Sequence, residues 1–277
     1  MKTQVHQKIN HDKSDPPRKK YIDVHSQSSD LSGLAGFIET LLRRFRTGFF
    51  LSALSVLYAI VILAMGLSAA PAIYFFTYIL KITLLWHPLF HFIALGIALI
   101  CGYFIYGFVL IFLIPFFNFI MPFKVKPFRG GYYSLKSIPW YFHNAFIYVV
   151  RYTFLEFITP TPLNILFYKM MGMKIGKGVH INTTNISDAA LIELDDYVTI
   201  GGSAHIFAHY AAKGYLVLST VKIGKGATVG LKATIMGDVE IGKNANVAPQ
   251  ELILPKSRIP DNRKPPGIGN KEDKNSK

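Results

Sequence analysis

The chain has 277 residues, 51% of them apolar, and a formal charge of +14. Such an apolar share exceeds that of ordinary soluble proteins, and its concentration between Gly48 and Phe123 turns the reading toward membrane spans. A single cysteine, Cys101, excludes a disulfide framework or a cysteine-built metal site within one chain.

Residues 1–30 are polar and contain Pro16-Pro17, which predicts a disordered basic tail. Its histidines, His6, His11 and His25, lack a regular metal spacing and read as solvated. Residues 31–47 change character: Leu34, Phe37, Ile38, Leu41, Leu42 and Phe45 recur at three and four, with Arg43, Arg44 and Arg46 at the end. This is the pattern of an amphipathic helix lying at a membrane interface.

Gly48 to Leu80 and Leu89 to Met121 carry no charge, and each exceeds the roughly 20 residues needed to cross the hydrocarbon. Residues 48–123 therefore read as a two-span hairpin joined through Lys81 to Pro88. A signal peptide cleaved near Ala70-Pro71-Ala72 is the rival, and the second apolar block argues against it. Lys and Arg gather before the first span and after the second, so the positive-inside rule places both termini in the cytoplasm, as in a multi-pass inner-membrane protein. Beside spans, this charge suits anionic membrane lipids; no motif accompanies it to recommend nucleic acid. His91 is expected near the headgroups.

Residues 124–173 form a connector. Trp140, Tyr141, Phe142, Phe146, Tyr148, Tyr152 and Phe154 suggest an interfacial helix. Thr161-Pro162 then reads as an N-cap with proline at the first helical position, and Gly172 closes that helix.

A different rhythm occupies residues 174–260. Ile175, Ile181, Leu194, Ile200 and Ile206, then Ile223, Val229, Ile235, Ile241, Val247, Ile253 and Ile259, recur in sixes. No helix or ordinary strand has that period, whereas short strands wound into a parallel β-helix do. Ile181 to Leu194 is two sixes plus one residue. After Ile206 the rhythm breaks, so residues 208–220 are expected to leave the coil as a loop, opening with His209. Residues 261–277 are expected to be disordered.

Thr161-Pro162-Leu163-Asn164, Met171 to Gly176, His209 with Gly214, Val221 to Gly224 and Ala227 to Gly230 carry a resemblance. The coils resemble the left-handed β-helix of the hexapeptide-repeat acyltransferases. In order, these motifs resemble the C-terminal membrane modules of nonribosomal peptide synthetases of the ε-poly-lysine synthetase type. The implied fold is a membrane α-helical hairpin plus an all-β left-handed parallel β-helix, a hexapeptide-repeat solenoid in which homotrimers are common. The implied activity is acyl transfer from acyl-CoA, acetyl-CoA first among them, or from a carrier thioester. The acceptor is a hydroxyl or amine of a membrane-proximal sugar, lipid-linked molecule or peptide.

Such chemistry needs a base, and a neutral imidazole with an ordinary pKa near 6.5 suits it. His209 is the first candidate and His205 the second. The loop departs from the resembled pattern: Ala211, Ala212 and Lys213 stand where acidic residues are expected, leaving Glu193, Asp195 or Asp196 of a neighbouring coil to orient the imidazole. For the donor, the turns at Gly224, Gly230 and Gly242 are expected to admit the pantetheine arm, with Lys232, Lys243, Lys256, Arg258, Arg263 and Lys264 meeting phosphates. No metal is expected, because zinc needs nitrogens converging at about 2.0–2.1 Å and the spacing puts His180 and His205 on different faces. The alternative is a non-catalytic membrane scaffold built on the same solenoid, favoured by the missing acidic residues.

Overall fold

The computed structural model describes residues 26–265; most of the expected N-terminal tail and residues 266–277 lie outside it. Helix α1 (Gly33–Arg44) ends where Phe45 leaves helical geometry at φ −110° and ψ 50°, and α2 (Arg46–Thr83) follows at once. Residues just before α1 bond to it: Ser29 N–H donates to Thr40 Oγ1 and Arg43 donates to Ser28 O.

Helix α3 (Pro88–Ile120) packs against α2. Both are long and apolar enough to cross a membrane. His87 caps α3 by accepting from Leu89 N–H, and Thr83 hydrogen-bonds His91 Nδ1 across the hairpin.

The connector contributes β1 (Phe128–Gly130), α4 (Ile138–Thr153) and α5 (Pro162–Met170). Thr161 Oγ1 accepts from Leu163 N–H at the start of α5, satisfying a donor that the first turn leaves free. Gly172, at φ +99°, ends it. Gly107 of α3 faces the ring of Phe154, where a Cβ would lie 2.1 Å from a ring carbon, so only glycine lets the connector approach this closely. One hydrophobic core runs from Leu57 and Leu110 of the helices, through Phe146 and Val150 of α4, into the coil.

The coil opens with β2 (Lys174–Ile175), β3 (His180–Ile181) and β4 (Ile186–Ser187), then β5 (Ile192–Leu194), β6 (Thr199–Ile200) and β7 (His205–Phe207). An excursion follows, β8 (His209–Ala212) and β9 (Tyr215–Leu218). The coil resumes as β10 (Val221–Ile223), β11 (Thr228–Val229), β12 (Thr234–Ile235), β13 (Val239–Ile241), β14 (Asn246–Val247), β15 (Leu252–Ile253) and β16 (Arg258–Ile259). Three parallel sheets are visited in rotation: β2, β5, β10, β13 and β16; β3, β6, β11 and β14; β4, β7, β12 and β15. This is the arrangement of a three-sided parallel β-helix.

Residues spaced by three sixes stack in register, as Ile223 does on Ile241 and Val229 on Val247. Ile200, Ile206, Val229, Ile235 and Val247 are fully buried. Each such side chain contributes about 1.5–3 kcal/mol by leaving water. The corners need left-handed backbone, and Lys232, Asp238, Asn244, Gln250 and Lys256 adopt φ between 56° and 68° or, for Asn244, 52°.

The excursion is more ordered than a loop. β8 and β9 pair antiparallel across Lys213-Gly214, whose φ values of 50° and 79° give the two-residue turn that suits strand twist. β1 adds to the other edge of β9, and Arg129 stacks over Tyr215 at 5.1 Å. Beyond Pro260 the coil continues briefly, with Asn262 N–H donating to Lys243 O and Arg263 O accepting from Asn246 N–H. The expected disorder therefore does not begin at Asp261.

Candidate active site

His209 stands where the chain leaves the third sheet after β7. The preceding coil passes the same corner at Asp188, directly after β4, and the following coil at Gly237, after β12. Asp188 has φ +61° and is followed by a short 3-10 turn, Ala189–Leu191, which widens that corner. A Cβ on Gly237 would lie 3.0 Å from Ala208 C and from His209 N, so the next coil holds the His209 backbone tightly from the other side.

Asp188 is fully buried and accepts four hydrogen bonds. Its Oδ2 accepts from Ala208 N–H at 2.9 Å and from His209 Nδ1 at 2.6 Å. Its Oδ1 accepts from Trp140 Nε1 at 2.6 Å and from Asn144 Nδ2 at 2.7 Å. Asn144 is oriented by the Asp188 N–H, which donates to Asn144 Oδ1 at 2.9 Å. The two obligate donors and the oriented amide match an ionised, acceptor-only carboxylate, and the bonds offset the cost of its burial. A carboxylate so placed holds the His209 proton on Nδ1. Nε2 is then the lone-pair nitrogen available to a reactant.

One face of α4 builds this arrangement. Trp140, Asn144, Tyr148 and Arg151 recur at four, four and three, the spacing of a helical stripe. Tyr148 OH hydrogen-bonds Ser187 Oγ at 3.1 Å, and Arg151 donates to Asn185 Oδ1. The Trp140 ring stands edge-on to His209, 5.2 Å between centroids. His143 sits behind the dyad: Nδ1 pairs with Asn118 Oδ1 at 3.1 Å, and Nε2 accepts from Ala190 N–H at 3.4 Å. Burial, partly opposed by the Asp188 charge, lowers the His143 pKa to about 4, so this ring is a neutral structural spacer at ordinary pH.

His209 also lines a cavity of about 330 Å³. Its walls come from α1, α2, the segment before α4, and α4 itself; Phe50, Leu54 and Leu57 face Trp140, Tyr141 and Tyr148. Burial, with Tyr133 and Tyr132 nearby, pushes the Tyr141 phenol up to about 12, so it stays protonated.

His205 lies on β7, beside Phe207 with 5.8 Å between ring centroids, and Phe207 is equally distant from His209. His180 is exposed on β3, in another sheet. Among the described residues no group of three or more His, Cys, Asp or Glu side chains is gathered to hold a metal ion. The carboxylates weighed as partners for His209 are engaged elsewhere: Glu193 with Lys174, Asp196 with Lys177 N–H, and Asp195 with Asp196 N–H. Asp188 takes the role instead.

The residues expected around the donor lie at three corners. Gly224, Gly242 and Lys243 follow strands of the first sheet, Gly230 and Lys232 a strand of the second, and Lys256 a strand of the third. Gly224, Gly242, Lys243 and Arg258 together line one open pocket on the first sheet, and Gly230, Lys232 and Lys256 lie outside its lining. The glycines answer to stacking: a Cβ on Gly224 would meet Gly242 C at 2.9 Å, and one on Gly230 would meet Pro249 N at 2.5 Å. Arg258 is held by Asp238 and Glu240, and Arg263 by Glu251.

No family model matches the chain. A 107-residue stretch, 39% of the chain, is 22% identical to the delta-poly-L-ornithine synthetase of Acinetobacter baumannii (strain AB307-0294) and spans only 8% of that protein. Among solved structures, the serine acetyltransferase of Neisseria gonorrhoeae aligns over 47% of this chain and 52% of its own, at 20% identity and a TM-score of 0.28. Serine acetyltransferase 1 of Entamoeba histolytica aligns over 69% and 73%, at 11% identity and a TM-score of 0.19.

Proposed function

We propose that the protein is a membrane-anchored acyltransferase in which His209 is the general base and Asp188 its positioning residue. The observation that carries this reading is the 2.6 Å contact between His209 Nδ1 and a fully buried Asp188 carboxylate held by three further donors. A scaffold needs no buried charge aimed at a histidine, and burying one costs stability unless it is fully bonded.

In the proposed reaction His209 Nε2 accepts the proton of an acceptor hydroxyl or amine as its oxygen or nitrogen attacks the thioester carbonyl of acyl-CoA or an acyl carrier. A new C–O or C–N bond forms and the C–S bond breaks. The departing thiolate takes the proton back from Nε2. Asp188 stabilises the transient imidazolium and keeps the reactive tautomer in place, an arrangement worth typically 10²- to 10⁴-fold. The helical hairpin would anchor the coil on the cytoplasmic side, where acyl-CoA is available.

The test is transfer of radiolabel from acetyl-CoA to envelope extract by the detergent-purified protein. Transfer should fall at least 100-fold in His209→Ala while donor binding persists. Equal transfer by both proteins would remove His209 from the chemistry.

A further inference from the structure

We propose that the acceptor is an amphiphile drawn from the bilayer, its chain lying in the cavity between α2 and α4 and its hydroxyl or amine meeting His209. This rests on His209 acting as the base. Three observations support it.

The cavity that reaches His209 is walled by hydrocarbon and aromatic faces: Phe50, Ala53, Leu54 and Leu57 on α2, with Ile138 and Phe142 on α4. Several polar groups on its walls are committed to the protein. Ser137 Oγ donates to the Tyr132 and Ser134 carbonyls, Ser134 Oγ accepts from Lys136 N–H, and Tyr148 bonds Ser187. The lining also carries Tyr58, Tyr132, Tyr133 and Tyr141, whose rings add apolar surface, and an alkyl chain needs no polar partner against it.

The far side of the same stretch of α2 is largely hydrocarbon, and its exposed Ser52 and Ser55 hydroxyls donate to backbone carbonyls of the helix itself. Leu51, Val56 and Ile62 are 56%, 56% and 69% exposed. The helix wall thus has acyl-chain chemistry on both sides, as expected of an entry from lipid. At the start of α2, Arg46 lies over the Tyr133 ring at 5.4 Å, with Arg44 exposed two residues earlier. Tyr133 lines the cavity, so the Arg46 charge stands beside it and suits an anionic lipid surface.

The chain holds two tryptophans, Trp86 and Trp140. Trp140 lines the cavity. In a Trp86→Phe background, Trp140 emission should therefore be quenched when the protein is reconstituted with dibrominated-chain phosphatidylcholine. Unbrominated dodecanol should at least halve that quenching, and Ala53→Phe, which fills the cavity, should do the same without altering insertion. Equal emission in brominated and plain vesicles, or quenching indifferent to both dodecanol and Ala53→Phe, would overturn the proposal. If quenching fails while label still transfers to water-soluble acceptors in a His209-dependent way, the catalytic reading stands and the lipid acceptor falls. If quenching holds but His209→Ala transfers normally, the chain binds there and the acceptor role falls with the base.

Discussion

Replacing Asp188 with asparagine isolates the chemical contribution of the dyad, because the side chain keeps its shape and loses only its charge and one acceptor. All four hydrogen bonds that Asp188 now accepts come from donors. An amide can satisfy only two of them. If its NH₂ takes the Oδ1 position, it faces Trp140 and Asn144 and leaves buried donors unpaired, at about 1–3 kcal/mol each. If it takes the Oδ2 position, His209 Nδ1 must accept, and its proton moves to Nε2. The nitrogen that should receive the acceptor's proton then already carries one. Loss of general-base action corresponds to 10²–10⁴ in kcat, or about 2.7–5.4 kcal/mol in the barrier. The assay is steady-state transfer from acetyl-CoA, with donor binding measured separately. Asp188→Asn should lose kcat with donor affinity nearly unchanged. A folded variant retaining kcat within about threefold would refute the tautomer argument.

Gly237→Val should lower kcat by roughly tenfold with the coil intact, since a Cβ 3.0 Å from His209 N must displace the base; an unchanged rate in a correctly folded variant would contradict the tight corner. Ile235→Ala, in the fully buried stack, should destabilise the coil by about 2–5 kcal/mol, read as a lowered midpoint in thermal unfolding. For His143 the folded pKa, about 4, lies below the ordinary 6.5, so the unfolded chain binds more protons between those values. Stability should therefore be intact above pH 6.5 and decline toward pH 4, by about 3 kcal/mol in all, and His143→Gln should flatten that decline. With Cys101 replaced by serine, Lys264→Cys should react with an impermeant thiol reagent from the cytoplasmic side only, and periplasmic labelling would reverse the proposed orientation.

The coil was legible because its physics is local and repeated. From Leu194 to Ile206 and again from Ile223 to Ile253, each inward aliphatic side chain comes six residues after the last, and every one of them is buried. The dyad was legible only in half. His209 stood out by opening the break in the repeat, but Asp188 lies 21 residues earlier and meets it through coil stacking, which no spacing rule within the loop could show. The extra residue between Ile181 and Leu194 was a signal, because it enlarges the corner that carries Asp188. Trp140 and Asn144 were hidden for another reason. Aromatic content at a membrane connector suggests headgroups, yet the stripe Trp140, Asn144, Tyr148 and Arg151 faces the coil. The sequence suggests a loop after His209 because Lys213-Gly214 is a weaker turn signature than Asn-Gly, although its backbone makes the same turn.

The most direct measurement of the central claim is release of free coenzyme A thiol by the reconstituted protein, in a Cys101→Ser background so that the protein adds no thiol of its own. Thiol should appear in step with acylated acceptor, and His209→Ala and Asp188→Asn should each slow both by at least 100-fold while acyl-CoA still binds. Thiol release that proceeds at the parent rate in both variants would contradict the dyad as the catalytic centre.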